Sequence, residues 1–156
     1  MFKNKLGLTG RVKLEAHYAD GSLKWATGWM KNTITNDGLA AVTGLIGAVD
    51  AQTEFTYLEV GTDSTAAAAS QTALESAITG NGLARAAATV TRETDTETND
   101  TLQLYKQWTA SGTEAIEEIG VFNAASAGVM LGRKVTGTKS VDSGETLSAT
   151  YQIILS

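Results

Sequence analysis

Residues 11–18 read Arg-Val-Lys-Leu-Glu-Ala-His-Tyr. Val12, Leu14, Ala16 and Tyr18 fall on one face, and Arg11, Lys13, Glu15 and His17 on the other. Side chains alternate across a strand, so this period of two predicts a strand with one face in a core and one in water. Asp20-Gly21 follows, a pair that tolerates the positive φ of a tight hairpin turn. Leu23, Trp25, Thr27 and Trp29 then continue the alternation, which predicts a β-hairpin.

The same reading extends outward. Leu102, Leu104, Lys106, Trp108 and Ala110 alternate with Gln103, Tyr105, Gln107 and Thr109. The last strand places Leu147, Ala149, Tyr151, Ile153 and Leu155 opposite Thr146, Ser148, Thr150 and Gln152. Further strands are expected at Phe55–Val60, Ala84–Glu93, Glu118–Asn123 and Val129–Val135. A short helix capped by Asn36 is predicted where Leu39, Val42, Leu45 and Ile46 recur at helical spacing, with Gly47 as its stop. The Ala-rich stretch from Thr62 reads as a loop running into a second short helix with Leu74 and Ile78 as its apolar contacts.

About eight short, closely spaced strands with only one or two short helices argue against a parallel sheet and its helical crossovers. The expected fold is all-β: a jelly-roll-like antiparallel β-sandwich with one or two short helices. Residues 11–156 form a single sandwich domain, preceded by an N-terminal arm of residues 1–10.

Composition narrows the function. The chain has 156 residues, enough for one core without staples, and it contains no cysteine and no proline. Thiol catalysis, disulfides and cysteine-bound zinc are excluded. The net charge is −5 and the basic residues are scattered, so no nucleic-acid partner is expected. No apolar run is long enough for a membrane span or a signal peptide, so no membrane partner is expected and synthesis and folding are expected in the cytoplasm.

Residues that could carry chemistry each have a plainer role. His17 is the lone histidine, on the polar face of a strand, and no serine stands in a nucleophile-elbow context. Asp95, Glu97 and Asp100 cluster in a turn that could attract calcium but lacks EF-hand spacing; a solvated hairpin tip is expected. Glu117 and Glu118 are neighbours on a strand and point to opposite faces, so they cannot converge on one glycosidic bond. Trp25, Trp29 and Trp108 are of the type that stacks on sugars, but alternation groups all three with leucines, which predicts core or interface packing. No cofactor, metal or catalytic residue is expected.

Several stretches read together. Asn32-Thr33-Ile34-Thr35-Asn36-Asp37-Gly38-Leu39 leads into the short helix, and Tyr57-Leu58-Glu59-Val60-Gly61-Thr62-Asp63-Ser64-Thr65 ends a strand. Arg85 opens another, and Glu118-Ile119-Gly120-Val121-Phe122-Asn123 precedes Met130-Leu131-Gly132-Arg133. From Arg11 onward this order resembles small structural proteins of tailed bacteriophages, in particular a jelly-roll cement or decoration protein of the capsid. The resemblance implies a non-enzymatic homotrimer, made in the host bacterial cytoplasm, that binds the major capsid protein on the outside of the virion. Phe2, Lys3 and Lys5 in the arm are the expected capsid-binding residues. Related patterns also occur in tail, baseplate and fibre components, which stand as the alternative, with a carbohydrate-binding module or small hydrolase as a third class.

Overall fold

The computed structural model describes residues 7–156. Within it the chain builds two antiparallel sheets packed face to face, with one helix among the described residues. The all-β antiparallel sandwich expected from strand spacing is the architecture formed.

The first sheet holds β1 (Leu8–His17), β2 (Leu23–Ala26), β3 (Met30–Lys31), β7 (Thr89–Glu93), β8 (Thr101–Thr109) and β11 (Thr146–Leu155). Its order is β2-β1-β11-β8-β7, with β3 also paired to β1. The second sheet holds β4 (Thr33–Ile34), β5 (Tyr57–Gly61), β6 (Ala86–Ala87), β9 (Glu114–Phe122) and β10 (Met130–Val141), in the order β4-β10-β9-β5-β6. β1 pairs along its whole length with β11, from Leu8↔Leu155 to His17↔Thr146. β1 therefore starts three residues before the alternation at Arg11: Leu8, Thr9 and Gly10, read as arm, are sheet residues. Phe2, Lys3 and Lys5 lie outside the described residues.

The core is the inner face of each strand that alternates. Val12, Leu14 and Ala16 meet Leu147, Ala149 and Tyr151 of the same sheet and Leu58, Val60, Ile119 and Val121 of the other, all fully buried. Each valine, leucine and isoleucine among them contributes about 1.5–3 kcal/mol by leaving water. The Tyr151 hydroxyl, buried with its ring, accepts a hydrogen bond from Asn32 Nδ2. Burial holds this phenol well above its ordinary pKa, so it stays neutral. Asn32 stands between β3 and β4, where the chain passes from one sheet to the other.

The helix α1 (Asn36–Gly47) differs from its sequence reading in two respects. Its N-cap is Thr35, not Asn36: Thr35 Oγ1 accepts from Gly38 N at 2.9 Å and donates to the Met130 carbonyl of β10, tying the helix start to the sheet. The buried residues are Gly38, Ala41 and Gly44, not the leucines. A side chain at Gly38 would bring its Cβ to 2.6 Å from Leu131 Cα, so the helix lies too close to β10 for anything but a small face. The larger apolar residues are displaced outward.

Two other segments depart from expectation. Residues 62–79 form no helix; they run across the second sheet as irregular chain, with Leu74 and Ile78 buried and one bridge from Ala77 to Gly61. The run at 84–93 is broken at Ala88, where the chain leaves β6 in the second sheet and enters β7 in the first. No helix among the described residues is long and apolar enough to cross a membrane.

Candidate functional site

The outer face of the second sheet is covered. β5 and β9 pair Tyr57↔Phe122, Glu59↔Gly120 and Gly61↔Glu118, and β10 places Arg133 opposite Gly120. Across this face lies the segment 62–79. Leu74 packs on Phe122 and Met130 as a small second core, possible because Gly120 leaves room: a Cβ there would stand 2.9 Å from Leu74 Cδ2.

A buried ion pair fastens that cover. Arg133 and Glu118 are both fully buried, and Arg133 Nε donates to Glu118 Oε2 at 2.7 Å. Arg133 Nη1 donates to the Thr65 carbonyl at 2.8 Å and to Gln71 Oε1 at 3.2 Å. Glu118 accepts from the backbone N–H of Ser76 at 2.8 Å and of Glu75 at 3.2 Å. One arginine and one carboxylate thus satisfy both ends of an irregular segment that has no strand partner of its own over most of its length. Arg85 forms a separate lock between β5, β9 and the turn that follows β9. Its guanidinium stacks 3.7 Å from the Phe122 ring centroid, pairs with Glu59 at 2.8 Å, and donates to the carbonyls of Ala124 and Ala127.

Four of the five stretches that carried the resemblance converge here, Tyr57–Thr65, Arg85, Glu118–Asn123 and Met130–Arg133, while Asn32–Leu39 forms β4 and the start of α1. The charged residues among them bind the protein's own chain. Sequence reading missed their role. Glu118 could have been found as the one carboxylate entering an apolar run, and Arg133 as the cation closing another.

The remaining candidates are accounted for individually. His17 ends β1 opposite Thr146, on the outer side of the first sheet. Glu117 accepts from the Thr138 hydroxyl and faces away from Glu118. Asp100 accepts from the backbone N–H of Glu97, Asp95 and Thr96 at 2.7–2.9 Å; these bonds hold its carboxyl well below the usual carboxylate range. Asp95 pairs with Arg11 at 3.0 Å. The acidic turn is a capped hairpin tip, and no group of three potential metal ligands occurs among the described residues.

The tryptophans divide. Trp25 and Trp108 pack inward and donate their indole N–H to Ser140 O and Ala84 O. Trp29, grouped with them by alternation, lies on the outside. The strand breaks after Ala26, and Gly28 at φ +68° lets the chain turn before β3, so the alternation does not carry from Trp25 to Trp29; Leu23, beside the register shift of β1, is itself exposed.

One surface is open and apolar. At one end of the sandwich a cavity of about 430 Å³ lies between α1 and the edge of the first sheet. Val42 and Leu45 of the helix face Val90 and Leu102 of β7 and β8, with Leu8 and Leu155 beside them and Glu54, Arg92 and Asp100 among the polar residues lining it. On α1, Leu39, Val42 and Ile46 follow at i, i+3 and i+7 and form one stripe beside the buried Gly/Ala face. Ile46 is 75% exposed. Cavity and stripe share Val42, so they form one apolar surface, of the kind that marks an interaction site.

Comparison of the chain with protein-family models, with curated proteins and with solved structures finds no match in any of the three.

Proposed function

We propose that the chain is a structural virion protein: a cement protein that coats the outside of a tailed-phage head, binds the major capsid protein lattice and acts without catalysis. The observation that carries the reading is the apolar surface of α1 and its adjoining cavity. It sits on a sandwich whose one covered face is locked by buried ion pairs, which makes a stiff block with a sticky end. Such a block suits a clamp. Burying the Leu39–Val42–Ile46 stripe between copies would build a homotrimer, and a trimer repeats each capsid contact three times. Repetition converts modest single contacts into firm attachment. The arm residues Phe2, Lys3 and Lys5 serve as additional contacts to the capsid in this reading.

The test is the copy number of the chain per purified particle, relative to the major capsid protein, measured by quantitative mass spectrometry for the native chain and for Ile46→Lys. A lysine in the last turn of a helix suits its dipole, so the exposed substitution leaves the fold intact. The expected result is a large fixed ratio for the native chain and a loss of at least tenfold for the variant. A few dozen copies or fewer would move the protein to the tail, baseplate or fibre and end the clamp reading. An unchanged ratio in the variant would remove α1 from the interface.

A further inference from the structure

We infer that the uncovered outer face of the first sheet is a saccharide-binding platform, with Trp29 and Tyr105 as its stacking residues. Three rows of side chains cross this face in register. Arg11 lies beside Gln152 and Gln103, Lys13 beside Thr150 and Tyr105, and Glu15 beside Ser148 and Gln107. The first row is fixed by its own hydrogen bonds. Arg11 Nε donates to Gln152 Oε1 at 2.7 Å, and Gln152 Nε2 donates to Gln103 Oε1 at 2.8 Å.

Trp29 lies beside the Arg11 end of this row. Arg11 lies 4.8 Å and Lys13 5.4 Å from its ring centroid, within the range of cation–π attraction. The ring remains 45% exposed and Tyr105 is 42% exposed. In the second row the ring stands over β1 and Tyr105 stands on β8, with β11 between them. Neighbouring strands lie about 4.7–4.9 Å apart, which sets the rings two strands, or roughly 10 Å, from each other. The floor between them is small: Thr150 and, one row on, Ser148.

The result is an open face with one exposed aromatic ring toward each side and hydroxyl, amide and ammonium groups between them. A sugar ring has an apolar C–H face, which stacks on an aromatic ring, and a rim of hydroxyls that both donate and accept. Trp and Tyr supply the first need, and Gln103, Gln107, Lys13 and Glu15 supply donors and acceptors for the second. Other ligand classes fit less well. An added peptide strand needs a free sheet edge, and this is a face. Nucleic acid needs a basic stripe, whereas Arg11 and Lys13 are matched here by Asp95 and Glu15. This inference does not rest on the virion reading.

The experiment is an array of neutral and acidic oligosaccharides probed with the full chain displayed on a tetravalent carrier, because single-site affinity on a shallow platform is weak and multivalency raises it. Any captured oligosaccharide is then titrated calorimetrically against the native chain, Trp29→Ala, Tyr105→Ala and the double variant. Both side chains are half-exposed, so far-UV circular dichroism and the thermal midpoint are expected to confirm intact folds. The expected result is binding that falls at least tenfold with either single variant and vanishes with both. Binding retained by a folded double variant overturns the platform, and so does an array on which the native chain captures nothing.

Discussion

The two sheets treat their outer faces in opposite ways. The second sheet hides Glu118 and Arg133 under the segment 62–79 and pairs Glu59 with Arg85 beside them, so each buried charge there has a charged partner. The first sheet leaves its outer face to water and spreads its charge along a row from Arg11 through Gln152 to Gln103. Chemically the faces are alike, since both are polar ladders on antiparallel strands. What separates them is the cost of breaking a pair. In water a lost partner is replaced by solvent; under the cover it is not, and the orphaned group bears its full desolvation penalty. The covered face is therefore committed to holding the fold, while the open face can change without unfolding the chain.

Arg133→Met puts the largest strain on that contrast. The methionine fills the stem of the arginine but leaves Glu118 as a buried carboxylate without its cation and strips the Thr65 carbonyl of its arginine donor, while Gln71 Oε1 keeps the Ala68 N–H. The expected loss is about 3–5 kcal/mol in denaturant unfolding, with early proteolysis within 62–79. A loss below about 1 kcal/mol would mean that the cover is not held by this pair, and the distinction between the faces would collapse.

How far sequence carries follows from the same contrast. Strands β1, β8 and β11 were legible because one face of each enters the core and the other meets solvent, which writes a period of two directly into Arg11–His17, Gln103–Thr109 and Thr146–Leu155. Alternation is silent about what lies over the second face. Glu118 and Arg133 are 15 residues apart and lie on adjacent strands, and nothing in spacing says that a third segment seals them in. The helix misled for another reason. Hydrophobic periodicity points leucines inward, but Gly38, Ala41 and Gly44 set the approach to β10, and the backbone of Leu131 leaves no room for larger side chains. Trp29 was misplaced by a break in phase at Gly28. The apolar surface that carries the functional proposal was thus hidden by the rule that located the strands.

A second test concerns the hairpin tip between β7 and β8, on the edge of the open face. Asp100 binds three backbone N–H groups as a carboxylate, which lowers its pKa in the folded state. A depressed carboxyl contributes stability that is complete above the unfolded value near pH 4 and disappears as pH falls through the folded value. Asp100→Asn is therefore expected to melt earlier than the native chain at pH 7, by an amount that shrinks steadily below pH 4. Thermal scans of both chains between pH 7 and pH 2 read the difference directly. A gap that stays constant across that range would show that the carboxylate's charge is irrelevant to the turn.

The smallest effect is expected from Gln152→Val, and it is the sharper half of the comparison. Gln152 is nearly as buried as the residues of the covered face and makes two side-chain hydrogen bonds, so a count of contacts would rank it with Glu118. Its partners are different in kind. Arg11 is also paired with Asp95, and Gln103 is also within reach of Glu93, so both keep a partner or gain water when Gln152 is gone. Valine favours a strand and fills the central position between Arg11 and Gln103 with apolar bulk. Replacing a polar group whose neighbours remain satisfied is close to neutral, so the change in unfolding free energy is expected to stay within about 0.5–1 kcal/mol of zero. A loss of 2 kcal/mol or more would show that the row on the open face holds the sandwich together as firmly as the buried pairs do, and burial by neighbouring side chains, rather than coverage by a separate segment, would then be the property that decides what a polar ladder contributes.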